Sequence, residues 1–202
     1  TAQLTLANET ATSPPNVKSA ARFLMQAAYG PDLAPANGLP PNLTEVTALG
    51  FEGWIDEQFT RPVGYIQPWV DWALPVANSL QLYGNLKEFS WWARALGAPK
   101  LRPDAVTNTI PDPLRQRVAF ALSEILVTSD RPEALAVEQA GMANYYDLML
   151  RHAFGNYREL LNDVTLHPVM GIYLSHLGNQ KQVPGSNIFP DENYAREIMQ
   201  LF

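Results

Sequence analysis

Three carboxylates, Glu124, Asp147 and Glu197, are the residues of this sequence whose positions could best support acid–base chemistry. Each lies in a segment with a helical pattern of apolar residues, where a carboxylate must either reach solvent or find a partner. Two carboxylates that converge in an open cleft can act as general acid and general base, as they do in glycoside hydrolases. The sequence shows no such pair directly, so the three remain weak catalytic candidates and no catalytic set is assigned.

The alternatives to catalysis for these carboxylates are ion pairs and solvated helix faces. Asp147 and Arg151 are four residues apart on a helix that is apolar nearly all round, which favours a structural ion pair. A functional acid whose pKa is moved by burial is the second interpretation. Glu124 shares a helix face with Arg117, and this favours a face that is exposed or that packs against another helix. An ion pair between Glu124 and Arg196 is a further interpretation.

A polar stripe marks the last predicted helix. Asn193, Arg196, Glu197 and Gln200 fall within about 100° of arc, and apolar side chains fill much of the rest. So wide an apolar arc predicts a largely buried helix. We interpret the polar motif Asn193, Arg196 and Glu197 first as a solvated edge. A buried polar cluster and a ligand-binding or catalytic carboxylate are the other two interpretations.

The three histidines show no metal-binding motif. No two are four residues apart and HExxH is absent, although His167, His176 and a carboxylate such as Asp163 could form a zinc site geometrically. Structural roles are the default for these histidines and for His152. The absence of cysteine excludes disulfides, thiolate metal sites and cysteine nucleophiles. We therefore expect no metal and no cofactor.

Tryptophans are concentrated between residues 54 and 92. Trp69 and Trp72 are three apart, and Trp91 and Trp92 are adjacent, so either pair could form an aromatic platform for a carbohydrate ligand. Packing in the core and between helices is the alternative, and it is the one we favour.

The elements that must position these residues are predicted to be helices throughout. Prolines, glycines and capping residues separate segments of helical periodicity, and strand alternation is absent. The predicted fold is all-α: an irregular multi-helix bundle with proline-rich connecting loops. Residues 1–15 are predicted to form an extended arm and 16–202 a helical domain. Helices are expected within 13–30, 42–50, 51–62, 81–97, 112–129, 134–155, 156–168, 169–177 and 190–202, with only short pieces in 63–80.

Composition excludes several classes of protein. The chain of 202 residues has a formal net charge of −6 and no basic block, which argues against nucleic acid and anionic membranes as partners. No apolar run approaches the roughly 18 residues of a transmembrane helix, so no transmembrane segment is expected.

Five long strings follow one another along the chain: "AARFLMQAAYGP", "GFEGWIDEQF", "LRQRVAFALSEILVTS", "YYDLMLRHAFGNYRELLNDVTLHPVMGIYLS" and "PDENYAREIMQLF". Together they resemble the bacterial family DUF1800, a domain of unknown function, over about residues 19–202. The resemblance implies a protein that is secreted, periplasmic or on the cell surface, longer than this chain, with "ENYAREIMQLF" in its interior. It supplies no agreed activity or catalytic residues. Some relatives have a His-rich string where this chain has "AFALSEILV", which puts a metal site there in doubt.

Three classes of function fit these observations. The first is a structural or interaction subunit of a cell-surface or extracellular assembly, whose partners are other protein chains or the C-terminal remainder of the same protein. The uncapped apolar turn at Leu201 and Phe202 supports it, because such a turn is expected to be covered. The second is a secreted hydrolase, for which polysaccharide is a candidate substrate, and the third is a carbohydrate-binding module. We expect the chain to be the N-terminal part of a longer protein.

Overall fold

The computed structural model describes residues 14–32, 42–79, 85–95 and 110–202. Within these ranges the chain forms ten helices and no strand, which confirms the predicted all-α class. None of these helices is both long enough and apolar enough to cross a membrane. Residues 1–13 of the predicted arm lie outside the described residues. The helices are α1 (Val17–Ala27), α2 (Asn42–Thr60), α3 (Gln67–Ser79), α4 (Leu86–Ala95), α5 (Pro113–Ile125), α6 (Glu133–Ala136), α7 (Gln139–His152), α8 (Tyr157–Leu166), α9 (Pro168–Tyr173) and α10 (Asn193–Gln200).

Helix α7 lies at the centre of the fold. Residues 145–150 are all buried, which explains why this segment is apolar around nearly the whole helix. Helices α3, α4, α5, α8 and α9 all pack against α7, and their apolar side chains form one large core. Full burial of a side chain such as Met149 or Leu150 contributes about 1.5–3 kcal/mol to stability. The central helix is therefore the element that fixes the positions of the others.

Helices α1 and α2 enclose a smaller core of their own. Leu24 of α1 and Val46 and Trp54 of α2 are fully buried there. The ring of Phe23 meets the Trp54 indole edge to face, with ring centroids 5.4 Å apart. Leu114, at the start of α5, packs against this cluster, and so α5 touches both cores.

A glycine breaks α2 where the sequence predicts a stop. Gly50 has φ of 77°, in the left-handed region that glycine tolerates best, so α2 is two helical pieces joined at a bend. Asn42 stands three residues before Glu45, which is the spacing of a capping box. The Asn42 amide instead donates to the Gly30 carbonyl and accepts from the Asp32 N–H, which ties α2 to the end of α1.

Helix α3 is longer than its prolines suggest. The sequence predicts only short pieces in 63–80, whereas α3 runs unbroken through Pro68 and Pro75. Pro68 lies in the first turn, where a missing N–H costs nothing. The N–H groups of Ile66 and Gln67 donate to the Asp147 carboxylate of α7. A cap supplied by another helix stabilises this start, and local sequence does not reveal such a cap.

A break divides the helix predicted at 134–155 into α6 and α7. Leu135 of α6 is fully buried, and the chain leaves helical geometry at Glu138, whose φ and ψ are −93° and 50°. The side chain of Gln139 bridges the break. It donates to the Ala136 carbonyl and accepts from the Lys87 N–H of α4. The break is therefore stabilised by polar contacts that involve a distant segment.

Helix α10 is attached to the body mainly through Tyr194. The Tyr194 ring stacks on the His176 imidazole, with ring centroids 4.2 Å apart, and its hydroxyl lies 2.7 Å from that of Thr165. Ile198 and Phe202 add apolar contacts to the large core. Tyr194 is the only fully buried residue of α10. The expectation of a largely buried last helix is therefore wrong.

Candidate functional site

A cavity of about 340 Å³ opens between α4, α5 and α7, and we call it the aromatic cavity. The rings of Trp91, Phe120, Tyr145 and Tyr146 line it. Two hydrogen bonds hold these rings in place. The Trp91 indole N–H donates to the Tyr146 hydroxyl at 2.6 Å, and the Tyr145 hydroxyl donates to the Leu126 carbonyl at 2.8 Å. Burial raises the pKa of both tyrosines, so their hydroxyls stay protonated.

Charged groups also line the aromatic cavity. Lys87 and Glu88 come from the first turn of α4 and Glu124 from the last turn of α5. The Lys87 ammonium lies 3.2 Å from one carboxylate oxygen of Glu88. The other oxygen, Oε2, is inaccessible to solvent and accepts no hydrogen bond within the described residues. The cavity thus combines an aromatic lining with two carboxylate side chains, Glu88 and Glu124.

A second cavity of about 470 Å³ adjoins the first, and we call it the acidic cleft. Glu124 and Val127 line both cavities. The acidic cleft extends from the end of α5 to α10, where Glu197 lines it. Its remaining lining residues are Ile125, Tyr173, Leu174, Leu201 and Phe202.

Two of the three candidate carboxylates therefore come to the same cleft. Glu124 is exposed and Glu197 is half-buried, and neither forms an ion pair with any described residue. The hydrolase hypothesis requires two carboxylates that converge in an open cleft, and Glu124 and Glu197 are the two candidates that line the same cleft.

Asp147 lies elsewhere and is enclosed. Its two oxygens accept from the N–H groups of Ile66 at 2.8 Å and Gln67 at 3.0 Å. Burial raises the pKa of Asp147 to about 7, against the lowering effects of these two hydrogen bonds and of the Arg94 charge. Arg151 is exposed and forms no ion pair with Asp147, so the expected pair is wrong. The surroundings of Asp147 are those of a capping group.

A second buried carboxylate, Asp112, was not among the functional candidates predicted from the sequence. It occupies the cap position of α5, but its side chain makes no capping hydrogen bond there. One oxygen accepts from the Gly64 N–H at 2.8 Å, and the other accepts from the Gln116 amide at 3.1 Å. The Gln116 amide also donates to the Gly64 carbonyl. Burial raises the pKa of Asp112. Together, Asp112 and Asp147 pin the segment that leads into α3.

The polar motif of α10 divides into two environments. Asn193 and Arg196 are exposed, and the Arg196 guanidinium pairs with the Glu192 carboxylate at 2.8 Å. Arg196 is thus not paired with Glu124. These positions match the solvated-edge interpretation. Glu197, in contrast, is half-buried and lines the acidic cleft.

The tryptophan pairs do not form flat platforms. The rings of Trp69 and Trp72 are tilted by 57°, and those of Trp91 and Trp92 meet at 77°. A sugar ring stacks on exposed faces that are roughly parallel, which neither pair offers. Trp91 belongs instead to the aromatic cavity.

The histidines have separate partners. His152 pairs with Asp163 at 2.8 Å, which lowers the pKa of that carboxyl. His167 bonds to the side chain of Asn144, and His176 to a backbone carbonyl of α8. In the described ranges no three histidines and carboxylates are grouped so as to hold a metal ion.

Residues 177–201, which we call the apolar segment, carry an unusual number of exposed large apolar side chains. Part of the segment is a loop closed at its base, because the Asn179 side chain both donates to and accepts from the backbone of Asp191. The loop therefore presents its apolar residues from a fixed base. Six residues of the segment are more than half exposed: Leu177, Val183, Ile188, Phe189, Met199 and Leu201.

Glu88 lines the aromatic cavity but was not predicted from the sequence as a site residue. Glu88 and Trp91 are three residues apart on α4, so they share a helix face. That spacing is the only local signal for the aromatic cavity, since Phe120, Tyr145 and Tyr146 come from other helices.

The described residues define an all-helical protein with two adjoining cavities lined by aromatic and carboxylate side chains. Residues 22–202 match the family model DUF1800, described as a protein of unknown function, and the chain therefore belongs to the DUF1800 family. This confirms the resemblance found in the sequence. Comparisons with curated proteins and with solved structures found no match.

Proposed function

We propose that this protein is a structural or interaction subunit of a cell-surface or extracellular assembly. The observation that carries the proposal is the apolar segment, with its six exposed large apolar side chains. The extracellular setting is an expectation from the family resemblance alone. The partner we propose is another protein chain.

The physical argument is the cost of leaving these side chains in water. Burying apolar surface contributes about 25 cal/mol per Å², and grouped exposed apolar side chains mark contact sites more often than scattered ones do. Phe189 and Ile188 are adjacent on a loop with a hydrogen-bonded base. A loop held in this way loses less conformational entropy when a partner binds.

Sedimentation of the protein purified from the cells that produce it tests this proposal. The test variant is Ile188→Ser with Phe189→Ser. The control is Val17→Ser with Met25→Ser on α1, whose side chains are as exposed but lie outside the apolar segment. We expect the wild type and the control to sediment with at least one further chain, and the test variant to sediment alone. Wild-type protein that sediments as a single chain would overturn the proposal, as would equal loss of the partner in both variants.

A second candidate function is hydrolysis, because Glu124 and Glu197 line one open cleft. An acid and a base positioned in this way typically contribute 10²–10⁴-fold each. The assay is the release of reducing ends from a panel of polysaccharides. Activity that falls at least 100-fold in both Glu124→Gln and Glu197→Gln, but not in Glu192→Gln, would support it. Glu192 is exposed and pairs with Arg196 outside the cleft. Absence of hydrolysis by the wild type, or activity unaffected by both substitutions, would reject it.

A further inference from the structure

We propose that the aromatic cavity binds an organic cation, namely a primary or secondary ammonium group on an apolar body. This inference is independent of the proposed assembly role, because the aromatic cavity does not include the apolar segment. The volume of about 340 Å³ lies in the range of small-molecule sites. The residues that carry the argument are Glu88, Trp91, Phe120, Tyr145 and Tyr146.

The lining suits an apolar body that carries a positive charge. Four aromatic rings line the cavity, and their faces attract cations in addition to burying apolar surface. Three of the four rings are held before any ligand arrives, since Trp91 donates to Tyr146 and Tyr145 donates to the Leu126 carbonyl. A site with ordered side chains binds at a smaller entropic cost than one that must be arranged.

The charges select a cation over an anion. Two carboxylates, Glu88 and Glu124, line the cavity with one ammonium, Lys87, which gives an excess negative charge. The Lys87 ammonium is already paired with one oxygen of Glu88, which leaves it less able to attract an anionic ligand.

The unsatisfied oxygen selects a cation that can donate hydrogen bonds. Glu88 Oε2 has no donor among the described residues and is closed to a water-sized group in the observed rotamer, so a ligand N–H reaches it once the carboxylate rotates; the Glu88 side chain is 38% exposed and is not packed on all sides. An unpaired buried acceptor is costly, and a charge-assisted hydrogen bond from a ligand N–H would remove that cost. A quaternary ammonium has no N–H to donate. The chemistry therefore favours a protonated primary or secondary amine.

Three probes with one apolar body and different head groups test the proposal by titration calorimetry on the full chain. They are phenylbutylamine, phenylbutanol and phenylbutyrate at neutral pH. We expect the amine to bind at least tenfold more tightly than the alcohol, and the carboxylate to bind most weakly. Equal binding of the three, a preference for the carboxylate, or no binding of the amine at millimolar concentration would overturn the proposal.

Variants locate the site. Glu88→Gln keeps the size of the side chain and should abolish the preference for the amine over the alcohol. Glu124→Gln alters an exposed residue of the lining, so it should fold normally and reduce amine affinity two- to threefold. Trp72→Phe is the control, since Trp72 is an exposed tryptophan whose ring contacts Trp69, and neither residue lines the cavity. An undiminished amine preference in both glutamate variants, or an equal loss in Trp72→Phe, would contradict the assignment.

Discussion

At the scale of single residues, Asp147 shows how a carboxylate that resembles a catalytic candidate serves to position backbone. The sequence places it on an apolar helix four residues from Arg151, and the ion pair suggested by that spacing is absent. Its partners are the N–H groups of Ile66 and Gln67, about 80 positions away in the chain. Spacing within a helix predicts contacts along that helix, and it cannot predict contacts with another one.

The raised pKa of Asp147 predicts a pH-dependent stability. The folded-state pKa of about 7 lies above the ordinary value of 3.8, so the folded protein holds this proton more tightly than the unfolded chain. The stability contributed by Asp147 is complete below pH 4 and is lost as the pH rises through 7. Each unit of difference in pKa corresponds to about 1.4 kcal/mol.

Asp147→Asn removes the titrating group, so only the wild type responds to its protonation. The difference in free energy of unfolding between the wild type and the variant should therefore change with pH. At pH 4 the wild type is protonated, and its hydroxyl oxygen can still accept from a backbone N–H where the amide NH₂ cannot, which should cost the variant about 1 kcal/mol. This deficit should shrink and then reverse as the pH rises to 7, because the wild type alone loses stability over this range. Urea denaturation at both pH values measures it. A deficit that grows with pH would show that the ionised carboxylate is the form favoured by folding.

Gly64 is a residue at which close approach excludes a side chain. A Cβ added there would lie 2.7 Å from an oxygen of Asp112. Gly64→Ala should therefore lower the free energy of unfolding by about 1–3 kcal/mol. The matched control is Gly141→Ala in α7, where the nearest atom, a Val169 methyl, would be 3.6 Å away and helix propensity favours alanine. Equal denaturation midpoints for the two variants would contradict the account.

At the scale of elements, local signals predicted some helices well and others poorly. The starts of α5 and α8 agree with the sequence, because Pro113 and Asn156 act within the helix they begin. The length of α3 and the break before α7 could not be predicted. Asp147 and Gln139 stabilise those features through contacts with distant segments. Helix boundaries were thus predictable only where the stabilising groups are neighbours in sequence.

The attachment of α10 gives a prediction at this scale. Tyr194→Phe keeps the ring stacked on His176 and removes the hydroxyl contact with Thr165. It should reduce stability by about 1 kcal/mol and speed hydrogen exchange of α10 amides relative to those of α7. Tyr157→Phe, at an exposed tyrosine of α8, should change neither. Unchanged exchange in Tyr194→Phe would show that the hydroxyl contact is not what fixes α10.

At the scale of the whole molecule, the all-α class was predictable because helical periodicity, proline punctuation and missing strand alternation all agree. The two cavities were not predictable. The aromatic cavity combines side chains from α4, α5 and α7, and the acidic cleft brings Glu124 and Glu197 together from helices far apart in sequence. The exposure of the apolar segment was also missed, since an apolar arc on α10 suggested burial.

Cross-linking tests the central claim, that the apolar segment contacts another protein chain. Lys181 lies within the segment and Lys18 lies on α1, and both are exposed. A lysine-reactive cross-linker is applied to the native protein, and the products are analysed by mass spectrometry. We predict cross-links from Lys181 to another chain and few or none from Lys18. The account would be contradicted if Lys181 formed no intermolecular cross-links, or if it formed them no more often than Lys18.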